Sequence, residues 1–221
     1  MSVKLTFLGH CAVLLQGTKT VIIDPYLTGN PKASLGVGNL PKIDYVLVTH
    51  DHFDHLGDAF VIAKKNNATL VAIFEISQLP AAKKLNPPAI GMNIGGTLSV
   101  DCIKISMTPA IHSCSAGTPA GFVVELDGKR VYHAGDTAFF SDMAFIPKFF
   151  GKLDVAMLPI GGFFCMDAVQ AAEAIKLLKP KMAIPMHYDT WPLIHSDPGD
   201  FGDRCKPTKM KILLPGNGIE I

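Results

Sequence analysis

"YVLVTHDHFDH", residues 45–55, carries an apolar run straight into six positions that hold three histidines and two aspartates. The apolar part reads as a buried strand. Neutral imidazole and carboxylate are standard ligands for zinc and related ions. In extended backbone, residues two apart point the same way. His50 and His52 are therefore placed to grip one ion from one side. Asp54 and His55 open the next turn and can reach a second ion nearby. A solvated polar loop is the bland alternative, and it would need no partners elsewhere in the chain.

Two ions need more than four ligands, and further ones stand at other strand ends. His112 closes "ISMTPAIH", Asp136 closes "KRVYHAGD" and His187 closes "KMAIPMH". Each follows an apolar strand, where loops can gather into one site. Taken singly, a histidine after a strand carries little information. As an ordered set behind the hexapeptide, the three read as ligands.

The chain has 221 residues, 48% of them hydrophobic and 18% charged, which suits one domain spanning residues 1–221 with a substantial core. A net charge of +1 with no basic block argues against nucleic acid or an anionic membrane as partner. The partner expected is a small-molecule substrate, and the apolar content is compatible with a homo-oligomer. Five cysteines, Cys11, Cys102, Cys114, Cys165 and Cys205, form no CxxC pair and an odd set, so a reducing cytoplasm is the expected location. "MSVKLTFLGHCAVLL" reads as two strands rather than a signal peptide, and no apolar run is long enough to span a bilayer.

Short strands fill the first third: "KLTFL", "AVLLQ" and "TVIID", with a hairpin turn at Gly17-Thr18. Residues 25–42 read as a long loop. "LGDAFVIAKKNN" predicts a helix, "TLVAIF" a strand, "ISQLPAAKKL" a short helix and "TLSVDCIKISMTPAIH" two strands. "GFVVELDGKRVYHAGD", residues 121–136, is a second hairpin with Asp127-Gly128 at its turn. It resembles the hairpin of residues 12–24, a weak sign of internal duplication. A helix over "DMAFIPKFFG", a strand over "DVAMLPI", and a helix from Asp167 to about Leu178 follow, the last capped by Asp167 with Gln170. "KMAIPMH" and "KMKILLP" are the last strands. Hairpins beside alternating strands and helices imply mixed sheets covered by helices on their outer faces.

"HDHFDH" matches the HxHxDH signature of the metallo-β-lactamase superfamily, and His112, Asp136 and His187 match its later ligands in order. The resemblance covers nearly the whole chain. "FLGHCAVLL", "VIIDPYLTGNP", "HAGDT" and "IPMHY" are similar to a branch of small stand-alone hydrolases, the one related to ascorbate-6-phosphate lactonases and, more distantly, to N-acyl-phosphatidylethanolamine phospholipase D enzymes. It implies an α/β fold, a four-layer αββα sandwich, with the site at one edge of two mixed sheets. By the same resemblance, His50, His52 and His112 hold one metal, Asp54, His55 and His187 hold a second, and Asp136 bridges them. Asp24, in "IIDP", would orient a ligand histidine from behind.

The cofactors implied are two divalent ions. Zinc is the default for so many histidines, and manganese or iron also suits the carboxylates. A divalent ion lowers the pKa of bound water from about 15.7 to about 7, which makes hydroxide available at neutral pH. The reaction expected is hydrolysis of an ester-like bond: a lactone, thioester or phosphodiester. The candidate catalytic residues are Asp54, Asp136 and His10. For His10 two readings stand: a buried histidine paired to backbone, or a group that stabilises an oxyanion or protonates a leaving group. The competing functions are a nucleic-acid phosphodiesterase and a non-catalytic metal- or ligand-sensing protein of the same fold.

His133 is expected to be structural and His195 exposed. Phe53 is expected in the core and Asp51 in solvent. Cys114 and Cys165 are not assigned as ligands. Thr137, Tyr188, Thr190 and Trp191 follow ligands and are candidates for the pocket mouth. The stretch "LPIGGFFCMD", residues 158–167, departs from the branch in being apolar, and no Arg or Lys clusters near the ligands. A sugar-phosphate lactone is therefore not expected as the substrate.

Overall fold

Strand direction is what gathers the dispersed ligands. A computed structural model describes residues 2–221. The chain lays down β1 (Lys4–Gly9), β2 (Ala12–Gln16), β3 (Thr20–Ile23), β4 (Tyr45–Val48), β5 (Thr69–Ile73) and β6 (Ala89–Met92) as one sheet. It continues with β7 (Thr97–Val100), β8 (Ile103–Pro109), β9 (Ala120–Leu126), β10 (Lys129–His133), β11 (Val155–Pro159), β12 (Met182–Met186) and β13 (Lys209–Met210) as a second sheet. The last strand, β14 (Gly218–Glu220), returns to the first sheet beside β1.

The orders are β14-β1-β2-β3-β4-β5-β6 and β13-β12-β11-β10-β9-β8-β7. β1, β2 and β3 pair antiparallel, and β3 to β6 pair parallel. β8, β9 and β10 repeat the antiparallel part, and β10 to β13 the parallel part. The similarity of the two hairpins in sequence therefore extends to the pairing pattern of both sheets. Within the first sheet β1, β3 and β4 run the same way, and within the second β8, β10 and β12 do. Their C-terminal ends carry His10, Asp24, the 50–55 segment, His112, Asp136 and His187.

One hydrophobic cluster joins both sheets, with Leu5, Leu15, Ile22 and Leu47 from the first and Phe122, Tyr132 and Met157 from the second. The helix Ala59–Asn66 buries Phe60, Ile62 and Ala63. The helix Ala168–Leu178 buries Ala171, Ala172, Ile175 and Leu178, and the Asp167 side chain caps it by accepting from the Gln170 N–H at 2.8 Å. This is the four-layer αββα sandwich.

The expected strand over residues 209–215 is cut to two residues. The chain leaves the sheet after Lys211 to reach β1 in the other one, and Leu214 is exposed. β6 and β14 were not expected, because both are short edge strands with no continuous buried face. The helix expected over "ISQLPAAKKL" is two turns, Phe74–Ser77 and Pro80–Leu85, since Pro80 starts a new helix. The one expected over "DMAFIPKFFG" is a 3₁₀ turn, Ser141–Phe145, followed by the helix Ile146–Phe150.

Gly135 sits where the two sheets meet at the site. Its φ is +61°, and a Cβ there would lie 2.8 Å from the Thr49 Cβ and 2.8 Å from the Ala120 carbonyl oxygen. Gly128, in the hairpin turn, has φ +79° but faces open space. Gly128→Ala should therefore cost about 1–2 kcal/mol, the left-handed penalty alone. Gly135→Ala should cost more, because backbone must also move. Denaturant melts of the two variants read the difference, and equal losses would contradict the close approach.

Candidate metal centre

Three of the strand-end residues sit in the left-handed region: His10 at φ 59°, Asp24 at φ 47° and His187 at φ 54°. Such backbone costs on the order of 1–3 kcal/mol per residue and persists only where the surroundings hold it. In each case the kink ends a strand and turns the side chain across the sheet edge.

Asp24 is fully buried. Its carboxylate accepts from the Thr49 N–H at 2.8 Å, the Thr49 hydroxyl at 2.7 Å and His55 Nδ1–H at 2.7 Å. This fixes the His55 tautomer and leaves Nε2 facing the centre. The Thr49 hydroxyl also accepts from His50 Nδ1–H at 3.0 Å, so His50 presents Nε2. His52 presents Nδ1, 3.0 Å from that nitrogen. The donor atoms of His50, His52 and His112 all lie within 4.8 Å of one another.

A second group is built around Asp54. Its Oδ2 lies 3.1 Å from His10 Nε2, 3.6 Å from His187 Nε2 and 3.9 Å from His55 Nε2. Asp136 stands between the groups: Oδ1 is 3.4 Å from His55 Nε2, and Oδ2 is 3.0 Å from His187 Nε2 and 3.6 Å from His112 Nε2. All seven ligand residues expected from the sequence are thus brought together.

The electrostatics follow from this crowding. Burial alone would lower the His55 pKa, but the Asp136 and Asp24 carboxylates outweigh it and raise it to about 10. For His187 burial is likewise outweighed, chiefly by Asp136, and the pKa rises well above its ordinary value. Burial lowers His10 to about 4 and, with the His55 charge beside it, lowers His50 to about 2. Burial opposes ionisation of Asp54, yet its hydrogen bond to His10 and the His187 imidazole 3.6 Å away hold it well below the usual carboxylate range.

His10 is not paired to backbone through its ring but reaches the donor cluster, its ring nitrogen within 4.8 Å of donor atoms of Asp54, His55 and His187. Its Nε2–H donates to Asp54 and its Nδ1 accepts from the Thr190 hydroxyl at 2.8 Å, so the ring is paired to side chains rather than backbone. It stands behind Asp54, with its own carbonyl accepting from the His187 N–H. His133 is satisfied by backbone at both nitrogens, through the Cys11 carbonyl and the Gly135 N–H. His195 is exposed and paired with Asp189. Asp51 is half-buried and accepts from the Ser115 N–H.

Phe53 corrects the expectation of a core residue: it is 68% exposed. It opens the short helix Phe53–Leu56, whose inner face is taken by Asp54 and His55, so its ring is turned to the cavity mouth. Trp191 lines that cavity, whereas Thr137 is buried in bonds to the Ile111 N–H and the Ala138 carbonyl. Tyr188 lies on a different cavity, behind His10. Cys165 touches one of the clustered histidines, its Sγ 3.6 Å from His187 Nδ1. The turn at Gly161-Gly162 brings it there, a contact with no local signature.

A family model described as beta-lactamase superfamily domain matches residues 19–188. The chain belongs to the metallo-β-lactamase superfamily. It is 46% identical to a UPF0173 metal-dependent hydrolase of Pelotomaculum thermopropionicum, over 99% of this chain and 100% of that one. It is also 46% identical to one from Pyrococcus furiosus, again over 99% and 100%. Among solved structures it is similar to Igni18, a metallo hydrolase from the hyperthermophilic archaeon Ignicoccus hospitalis, with a TM-score of 0.92, 38% identity and coverage of 100% and 99%. No helix among the described residues of this superfamily member is long and apolar enough to cross a membrane.

Asp24→Asn keeps the shape of the carboxylate but removes the charge behind His55. Loss of such a supporting partner should weaken metal binding about 10- to 100-fold. Competition with a chromogenic chelator measures it, and unchanged affinity would mean that Asp24 does not orient a ligand.

Proposed function

We propose that the chain is a binuclear metal-dependent hydrolase that cleaves an ester-like bond of a small molecule. The observation that carries this is a set of orphaned atoms. His55 Nε2, His187 Nε2 and Asp136 Oδ1 are buried and make no well-directed hydrogen bond, although the Asp136 carboxylate lies 3.4 Å from the first nitrogen and 3.0 Å from the second. A buried polar atom without a partner costs about 1–3 kcal/mol, more if charged, so the residues at this point fit a bound cation. Imidazole nitrogens and carboxylate oxygens are the donor chemistry such an ion takes.

In this reading His50, His52 and His112 would hold one ion and Asp54, His55 and His187 the other, with Asp136 standing between the two groups. Zinc is the ion the donor set favours, and manganese or iron would also suit it. Two bound divalent ions supply hydroxide near neutral pH and polarise the oxygen of the scissile group. The chain's residues do the rest. Asp24 and Thr49 lock the ring orientations of His55 and His50. His10, neutral at pH 7, positions Asp54 through its Nε2–H and is itself held by Thr190. The cavity at the centre is lined by no Lys or Arg. That disfavours a nucleic-acid backbone as substrate, since its phosphates would find no side-chain counter-charge.

Metal analysis and turnover test this together. Wild-type protein should carry two equivalents of zinc and hydrolyse at least one of a lactone, a thioester or an activated phosphodiester, and a chelator should abolish both. Asp136→Asn should retain one equivalent or fewer and lose at least about 100-fold in kcat/KM. One equivalent in the wild type, or full activity in Asp136→Asn, would defeat the binuclear reading.

A further inference from the structure

The wall of the cavity says more about the substrate than its floor. About 510 Å³ opens above Asp54, Asp136 and His187, within the usual range for a small-molecule site. The floor is polar, and the wall is made by Phe53, Phe164, Trp191 and Leu193. Three of these are open to solvent: Phe53 at 68%, Leu193 at 61% and Phe164 at 49%. They come from three separate segments, namely the start of the helix Phe53–Leu56, the 161–167 turn and the 3₁₀ turn Pro192–Ile194. Large apolar groups brought together at a site mouth from unrelated segments mark a binding surface.

The wall is also preformed. The Phe53 ring lies 5.8 Å from Tyr26 and 6.0 Å from Trp191, and Trp191 lies 4.9 Å from His10. These are ordinary aromatic contact distances. Trp191 is thereby tied to the residue that holds Asp54. The other lining side chains are Ser113, the imidazoles of His52, His112 and His187 and the carboxylates of Asp54 and Asp136, all on the floor side, and no Lys or Arg is present. An anionic group seated against Phe53, Phe164, Trp191 and Leu193 would be drawn out of water with no partner, which is costly.

We infer that the substrate is a neutral ester or thioester with an apolar acyl group, aliphatic or aromatic, seated on Phe53, Trp191 and Leu193 with its carbonyl over Asp54 and Asp136. The inference rests on the hydrolase reading for the reaction but not for the binding. In the reaction water adds its oxygen to the acyl carbon, the C–O or C–S bond breaks, and the leaving group takes up the proton, with no other reactant required.

The protein contains a single tryptophan, Trp191, so its emission reports occupancy of the wall. Metal-loaded protein is titrated with neutral 2-alkanones from four to ten carbons, and the matching straight-chain esters are assayed for turnover. Affinity and kcat/KM should each rise about two- to fourfold per methylene until the cavity is full. Phe53→Ser and Leu193→Ser, both at exposed positions, should flatten that rise. An ester of equal length with a distal carboxylate should be at least about 100-fold poorer than its neutral counterpart. A flat chain-length series, or a rise that both variants leave intact, overturns the inference. Chain-length-dependent ketone binding without ester turnover keeps the apolar site and sinks the hydrolase reading. Equal turnover of short polar and long apolar esters does the reverse.

Discussion

Three carboxylates, Asp24, Asp54 and Asp136, are buried with only histidines in ion-pair range among the described residues. Withdrawing an ion from water costs several kcal/mol unless strong partners offset it. Lys and Arg are kept away, and the neutralising charge is left to His55 and His187, whose protons the carboxylates hold in place. Such a centre can trade protons on His55 and His187 for divalent cations. The left-handed backbone at His10, Asp24 and His187 serves the same end, since each kink aims a side chain at the charge cluster.

The sandwich makes this concentration possible in a short chain. Each sheet has an antiparallel part followed by a parallel part in the same order. Within each sheet the parallel-running strands release their loops at one edge. The correspondence reaches individual residues: His10 and His112 follow the equivalent strands β1 and β8, and Asp24 and Asp136 follow β3 and β10. One aspartate of that pair faces inward to orient His55, and its counterpart stands between the two donor groups.

Much of the centre was legible in the sequence because histidines and aspartates repeated at strand ends, each behind an apolar run, serve few purposes besides holding ions. The seven residues that the structure brings together are of that kind, and the hairpin at Asp127-Gly128 was legible from its turn residues. Where the sequence misled, the cause was tertiary. Phe53 looked like core because it is aromatic beside a buried strand, but Asp54 and His55 claim the inner face of its helix. "KMKILLP" looked like a strand, yet the chain must leave the sheet there to cross to β1. Cys165 reaches His187 through a turn, and His10 reaches Asp54 across 44 residues. No local pattern encodes either contact.

The aromatic wall and the charged floor meet at His10, which touches Trp191 on one side and Asp54 on the other. Asp136, set between the two donor groups, is where two ions would meet. Crystals of zinc-loaded protein, with anomalous differences collected on both sides of the zinc edge, test it directly. Two peaks are expected, one among His50, His52 and His112 and one among Asp54, His55 and His187, with Asp136 in bonding range of both. A single peak, or none with the ring nitrogens bonded to one another, would contradict it.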